Sequence, residues 1–196
     1  MHGALLALIL RGMWTGPAEG RVITPVWHLM FVGFIVGAMA ALQVGWPGLA
    51  RGIFAVTLPA AVAIWAVSLW QLATRIPPAP LRPLLAIHAA PASLFAIVAA
   101  DAALPGSAAF AALGSAVALA LAASARWLLA AGFSPLWGAF TFPLAALAQA
   151  LLVQGWAIPG LALLAAATVA VPWIAVRVLR MWAQGSLGPR TNAAVA

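Results

Sequence analysis

Six apolar runs, each close to the length of a membrane-crossing helix, follow one another along this chain. Crossing the hydrocarbon core of a bilayer, which is about 30 Å thick, takes about 20 helical residues. Breaks containing Gly, Pro or Arg separate the runs, as turns would. The sequence therefore predicts an all-α integral membrane fold, one transmembrane domain over residues 1–196, with spans at about 24–43, 52–72, 83–104, 108–130, 135–154 and 158–178.

The composition excludes most soluble folds. Of the 196 residues, 66% are apolar and only 6% are charged, whereas soluble domains carry about 25% charged residues. A bilayer explains this deficit, because lipid needs no charge facing it. Strands of a membrane β-barrel would alternate in polarity, and these runs do not. The basic residues are scattered between the runs, which argues against a nucleic-acid-binding stripe.

The arginines predict the orientation of the spans, because cytoplasmic loops are enriched in Lys and Arg. With six spans, Arg51 lies alone on one side of the membrane. The arginines on the other side are Arg11, Arg21, Arg75, Arg82, Arg126, Arg177, Arg180 and Arg190. We expect that second side to be cytoplasmic, so that residues 181–196 form a cytoplasmic tail. Residues 1–10 are interpreted as the remnant of an earlier helix.

A proline register occurs three times at the predicted cytoplasmic ends of spans. Pro25, Pro83 and Pro135 stand where spans begin. Eight residues later in each case come Gly33, Pro91 and Pro143. The intervals of 58 residues (25 to 83) and 52 residues (83 to 135) fit a hairpin of two spans, the kind of unit that repeat architectures stack. Because a mid-membrane proline kinks a helix, we predict helical hairpin repeats whose three kinked helices line a central pore.

The stretch Phe133–Ala145, which reads FSPLWGAFTFPLA, resembles the signature of the tellurite-resistance/dicarboxylate transporter family. That motif is close to F-S-x-x-W-W-A-[FY]-T-F-P-L, and Gly138 replaces its second tryptophan. The resemblance implies a fold of ten helices, arranged as five hairpins around a pore and usually assembled as a trimer. This chain would supply the last six spans. Because three hairpins cannot close such a pore, we expect a truncated form or one that acts with partners.

The resemblance also implies a gate and a small-anion substrate. The family plugs its pore with a phenylalanine, and the matching residue is Phe142. A single apolar ring at a constriction can gate a pore, although packing between helices is the alternative role for Phe142. The register equivalents of Phe142 are the smaller Val32 and Ala90. The residues predicted to kink or line the pore are Gly33, Pro91, Thr141, Pro143, Val32 and Ala90.

The remaining polar residues point to no catalytic chemistry. His28 and His88 lie on two predicted pore helices, Asp101 lies near the outer end of its span, and the chain has no cysteine. We predict no metal, haem or other cofactor, and no enzyme activity. The expected function is transport of small anions across the inner cell membrane by a homo-oligomer. A membrane scaffold or cofactor-anchoring subunit is the alternative.

Overall fold

Helices build the part of the chain that the structure describes. This computed structural model describes residues 2–16 and 23–188, is 82% helical, and contains no strand in those ranges. The all-α prediction is therefore confirmed. Arg21, Arg190 and residues 189–196 of the predicted tail lie outside the described residues.

Four helices in the described ranges are long and apolar enough to cross a membrane. They are Pro47–Thr74, Ala79–Asp101, Pro135–Val153 and Ala157–Ala183. The apolar helices at the other two predicted spans, His28–Gln43 and Ser107–Ala123, are shorter than 18 residues. The count of six spans therefore stays a prediction, as do the ten-helix fold and the pore.

Two compact units divide the chain at residues 75 and 76. In the first unit, a short π-helical segment precedes α2, and α2 packs on α3. Pro47 stands in the first turn of α3, where its missing N–H needs no helical partner. The helical elements of this unit are α1 (His2–Thr15), the π segment (His28–Val32), α2 (Ile35–Gln43) and α3 (Pro47–Thr74).

The second unit, residues 76–196, contains two 3₁₀ segments, each of which continues directly into an α-helix. Its elements are the first 3₁₀ segment (Ala79–His88), α4 (Ala89–Asp101), α5 (Ser107–Ala123), α6 (Ala125–Leu128), the second 3₁₀ segment (Pro135–Phe140), α7 (Thr141–Val153) and α8 (Ala157–Ala183). The predicted tail 181–196 therefore begins inside α8.

Helix α4 has the most buried surface of the second unit. Every residue from Ala89 to Ala99 is buried, and α4 packs on both α5 and α7. Helix α8 packs on α7, but only 11% of its most apolar window is buried, against 78% for the helix that ends in α4. An apolar helix with that much open surface is suited to face lipid.

Glycines with positive φ make the turns that pair neighbouring helices. Gly106 precedes α5 with φ +87°, and Gly155 separates α7 from α8 with φ +75°. Residues other than glycine rarely adopt this left-handed backbone conformation. The turns bring α4 onto α5 and α7 onto α8, so each pair packs as a helical hairpin.

Candidate functional site

The two 3₁₀ segments change to α-helix at equivalent points of the proline register. The N–H of Ala89 bonds to the carbonyl of Ala86, and the N–H of Thr141 bonds to the carbonyl of Gly138. Both are the three-residue bonds of a 3₁₀ turn. In each case the register proline is the third residue of the α-helix that follows. We call these two junctions, 88/89 and 140/141, the switch points.

Proline favours the change of helix geometry at these points. Pro91 has no N–H to offer the carbonyl four residues earlier, at Ile87, and Pro143 has none for Ala139. A proline ring also crowds that carbonyl. The α-helical bond to each of these carbonyls is therefore lost, and at both positions a tighter 3₁₀ turn precedes the proline. Pro59 of α3 and Pro172 of α8 stand inside continuous α-helix, so the proline favours this change without forcing it. Beyond the proline, ordinary α geometry resumes.

The first unit has its own irregularity at the same register. There the π segment ends at Val32, and Gly33 and Phe34 form a turn before α2 begins at Ile35. Gly33 is thus close to a change of helix type, as Pro91 and Pro143 are. Short π and 3₁₀ stretches inside helices often mark functional positions.

The structure places the predicted pore residues in different environments. Val32 is fully buried, and Ala90, Pro91 and Pro143 are also buried. Gly33 and Thr141 are half-buried, and the Thr141 hydroxyl donates to the carbonyl of Gly138 at 2.7 Å. Phe142 is 48% exposed. Of the predicted pore positions, Phe142 alone presents a large open surface.

Phe142 belongs to an exposed stripe that runs along α7 and the end of the 3₁₀ segment before it. We call it the α7 stripe, and it consists of Gly138, Phe142, Ala145, Gln149 and Val153. The spacing of three or four residues places them on one helix face. Phe142 is the one aromatic side chain of the stripe, and its nearest members on either side are Gly138 and Ala145. Its ring therefore stands out from small neighbours.

Gln149 gives the α7 stripe a polar member that sequence reasoning missed. It is exposed, seven residues beyond Phe142 and so about two helical turns away on the same face. A polar side chain within a membrane helix is expensive when it faces lipid, and usually faces a bundle interior or a water-filled cavity. The signal in the sequence was an amide inside an otherwise apolar run. The α7 stripe is therefore better suited to water or protein than to lipid.

The two switch points share a cleft. The two 3₁₀ segments pack against each other, and α4 packs on α7. Between them and α5 lies a partly open cleft of about 250 Å³ with thirteen lining residues, all apolar. Ala86 and Ala89 line it from the first switch point, and Phe140 and Pro143 from the second. We call this the switch cleft. Sequence reasoning missed it, although one of its lining residues is Pro143, which the proline register had singled out.

A cluster of aromatic rings holds the start of the second 3₁₀ segment. Phe133 lies 5.3 Å from Trp137 and 5.5 Å from Trp173 of α8, measured between ring centroids. The guanidinium of Arg177 lies over the rings of Phe133 and Trp173, at 4.6 and 4.9 Å. Stacking of this kind stabilises a cation that has few carboxylates to pair with. Phe133 and Trp137 of the FSPLW stretch thus pack against Trp173 and anchor the segment to α8.

Arg82 makes a similar tie near the other switch point. Its Nε donates to the carbonyl of Pro77 at 3.0 Å, and Nη1 donates to the carbonyl of Trp127 at 3.1 Å. The guanidinium also stacks on the Trp127 ring, 4.5 Å from its centroid. Arg82 therefore joins the first 3₁₀ segment to α6.

None of the other ionisable candidates is among the thirteen residues that line the switch cleft. His28 is buried, with its ring centroid 5.5 Å from that of Trp65. His88 ends the first 3₁₀ segment and is half-buried. Asp101 is exposed at the last residue of α4. Within residues 2–16 and 23–188, no group of three His, Asp or Glu side chains could hold a metal ion.

Comparison with known protein families and with curated proteins finds no match to this sequence. The resemblance to the tellurite-resistance/dicarboxylate transporters therefore stays a prediction that rests on the stretch Phe133–Ala145.

Proposed function

We propose that this chain is an inner-membrane transport protein for small anions, in which helices broken at the proline register line a pore and Phe142 closes it. The observation that carries the proposal is the position of Phe142: an exposed ring beside a switch point, between the small residues of the α7 stripe. Non-helical backbone is tolerated at membrane depth where it is buried or lines a water-filled cavity. Gly138 and Ala145 on either side of the ring would leave room for an ion path.

Gln149 supports a water-filled path along the same face. Its side-chain amide has two N–H donors and one carbonyl acceptor, so it can replace part of the hydration of a passing ion. The amide N–H groups suit an anion without holding it as tightly as a full positive charge would. A conducting site must bind weakly enough for the ion to leave.

The charge distribution supports an anion over a cation. The chain has a formal net charge of +7 and only two acidic residues, Glu19 and Asp101. Asp101 stands at the end of α4, so the helix interiors of the second unit carry no acid to repel an anion. Arginines at the proposed cytoplasmic end would attract anions to the pore mouth.

The proposed assembly is a homo-oligomer, a trimer by the family resemblance, with the C-terminus in the cytoplasm. A pore of five hairpins needs more helices than this chain has, so additional spans or partner chains would complete it. The eight-to-one arginine split supports the orientation.

Conductance of a Phe142→Ala variant tests the gate. A ring that holds a constriction shut excludes ions because they cannot lose their hydration there. We expect the variant, reconstituted in planar bilayers, to conduct anions well above the wild-type level, with little change for cations.

Phe140→Ala is the matched control for this experiment. Phe140 is two residues away and half-buried, with its ring centroid 6.1 Å from that of Trp137. Its removal should leave conductance at the wild-type level. Unchanged conductance in Phe142→Ala, together with a lower unfolding temperature, would assign Phe142 to ordinary packing and reject the gate.

The second candidate function is a membrane scaffold or cofactor-anchoring subunit. The switch cleft favours it, because its apolar lining could hold a hydrophobic cofactor such as a quinone. Absorbance of the purified protein and analysis of its organic extract separate the two functions. A haem Soret band or a stoichiometric quinone would support the second candidate over transport.

A further inference from the structure

We infer that the switch cleft is a binding site for one acyl chain of an anionic phospholipid, whose headgroup is held at α6 by Arg126 and Arg82. The proposed site requires that the protein lies in a bilayer, but it does not require that the protein transports anions. It uses none of the residues of the α7 stripe.

The lining of the cleft selects an apolar occupant. All thirteen residues around its 250 Å³ are apolar, and water in such a space would lack the two to four polar partners it needs. A smaller apolar cavity of about 150 Å³ in another protein binds benzene and stays dry. In a bilayer the apolar solvent next to the cleft is lipid, so a lipid acyl chain is the apolar group available to fill it.

The lining of the cleft includes both a helix end and the middle of a helix. Ala125, Leu128 and Leu129 belong to α6 and the residue after it, and Leu147 is the middle residue of α7. An acyl chain in the cleft would place its headgroup at α6 and its methylenes toward the middle of the hairpin.

Positive charge is concentrated at the α6 end. Arg126 stands next to the lining residue Ala125 and is exposed. Arg82 is fixed to the same short helix by its bond to the Trp127 carbonyl and by stacking on the Trp127 ring. Guanidinium groups bind phosphate oxygens with paired hydrogen bonds, and basic pockets between membrane helices bind anionic headgroups.

No acid opposes an anionic headgroup there. Asp101, the only acidic residue of the second unit, is twelve residues beyond Ala89 along α4, on the order of 18 Å at 1.5 Å per residue. The charge at this end of the cleft therefore favours phosphatidylglycerol over the zwitterionic phosphatidylcholine. One basic residue near a membrane surface raises the affinity for an anionic lipid over a zwitterionic lipid about fivefold.

Lipid retention by the purified full chain tests the site. The protein in detergent is incubated with phosphatidylglycerol or phosphatidylcholine carrying identical palmitoyl and oleoyl chains, and bound lipid is counted by native mass spectrometry. We expect one phosphatidylglycerol per chain, retained at least fivefold over phosphatidylcholine.

Two pairs of variants separate the chain site from the headgroup site. Ala122→Phe fills the cleft from α5 and should lower retention of both lipids more than tenfold, whereas Ala123→Phe, one residue outside the lining, should not. Arg126→Gln should lower the preference for phosphatidylglycerol about fivefold while leaving phosphatidylcholine unchanged. Arg180→Gln on α8 is the charge control and should behave as wild type.

Several outcomes would overturn the inference. They are equal retention of the two lipids by the wild type, undiminished retention in a folded Ala122→Phe, and a bound quinone in place of phospholipid. If Ala122→Phe does not fold, Ala118→Phe replaces it, because Ala118 lines the same cleft one turn earlier. Phe142 lies outside the cleft lining, so the conductance of Phe142→Ala does not depend on lipid retention and either proposal can fail alone.

Discussion

Helices α4 and α7 begin in the same way but lie in different surroundings. Each follows a 3₁₀ segment, and each has its register proline as third residue. Yet α4 is buried on all sides from Ala89 to Ala99, whereas α7 leaves a full stripe exposed. At the equivalent positions before the prolines, Ala90 is 4% exposed and Phe142 is 48% exposed.

This difference separates what the proline determines from what the neighbours determine. A proline acts on its own helix, through the missing N–H and the crowded carbonyl four residues earlier. Before Pro91 and Pro143 the backbone forms a 3₁₀ turn. Pro59 of α3 and Pro172 of α8 stand inside continuous α-helix, so a proline favours a change of helix type but does not determine it alone. Which face remains open depends on the helices packed around it. A role in a pore can thus be proposed for the α7 stripe from its exposure, whereas the matching residues of α4 are buried.

Removing one phenylalanine from each helix tests this comparison most directly. Phe95 of α4 is fully buried, with its ring centroid 5.5 Å from that of Phe110. Phe95→Ala should lower the free energy of unfolding by about 3–5 kcal/mol, because it leaves a cavity among packed side chains. Phe142→Ala should lower it by less than about 1 kcal/mol, as expected for a side chain outside the core.

Denaturant unfolding of both variants in the same detergent measures this contrast. Equal losses for Phe95→Ala and Phe142→Ala would mean that the α7 stripe is covered in the folded protein. The distinction between the two helices would then be wrong.

A smaller contrast is expected between two glycines. A Cβ at Gly114 of α5 would lie 3.2 Å from both Leu147 Cδ1 and Ser93 Oγ, between α7 and α4. Gly114→Ala should therefore destabilise by about 1–3 kcal/mol through overpacking. A Cβ at Gly138, on the α7 stripe, meets nothing within 4 Å, and Gly138→Ala should be neutral or stabilising by up to about 1 kcal/mol.

Thermal unfolding of the two alanine variants checks the prediction, with wild type as reference. A stable Gly114→Ala would show that α5 can move away from α4. A destabilised Gly138→Ala would show instead that the α7 stripe has a close neighbour.

Sequence alone could predict where helices form but not which faces they bury. The apolar runs and the turn glycines Gly106 and Gly155 mark the helices, because length in lipid and positive φ are local requirements. The sequence does not identify the buried faces of α4 and α7, because each helix has few polar residues and these residues differ in exposure. Ser93 of α4 is fully buried, whereas Gln149 of α7 is exposed. Only an amphipathic pattern, with many polar residues on one side, identifies the buried face from sequence.

The switch cleft was beyond prediction for a related reason. The register of Pro91 and Pro143 predicted kinks, and the structure has changes of helix type beside both residues. The cleft also needs Ala122 and Leu128 from α5 and α6, more than 30 residues from Pro91 along the chain. Small apolar side chains such as these occur throughout the sequence, so nothing distinguishes the ones that meet.

The smallest expected effect concerns a polar tie between α4, α5 and α7 at the end away from the switch points. Ser107 donates its hydroxyl to the carbonyl of Ala96 at 2.9 Å and accepts a hydrogen bond from the side-chain amide of Gln154. Hydrogen bonds between membrane helices contribute about 0.6 kcal/mol on average. Ser107→Ala should therefore lower the free energy of unfolding by about 0.6–1.5 kcal/mol, measured by denaturant unfolding in detergent.

Ser115→Ala is the control for that tie, because the Ser115 hydroxyl bonds within α5, to the carbonyl of Ala111 at 2.8 Å. The substitution should leave the free energy of unfolding almost unchanged. A double-mutant cycle of Ser107→Ala with Gln154→Leu should give a coupling energy near the average for one bond. A coupling of zero would mean that α7 is held to α4 and α5 by apolar packing alone. Helices α4 and α7 would then differ in how much of their surface is buried, but not in the type of contact that holds them.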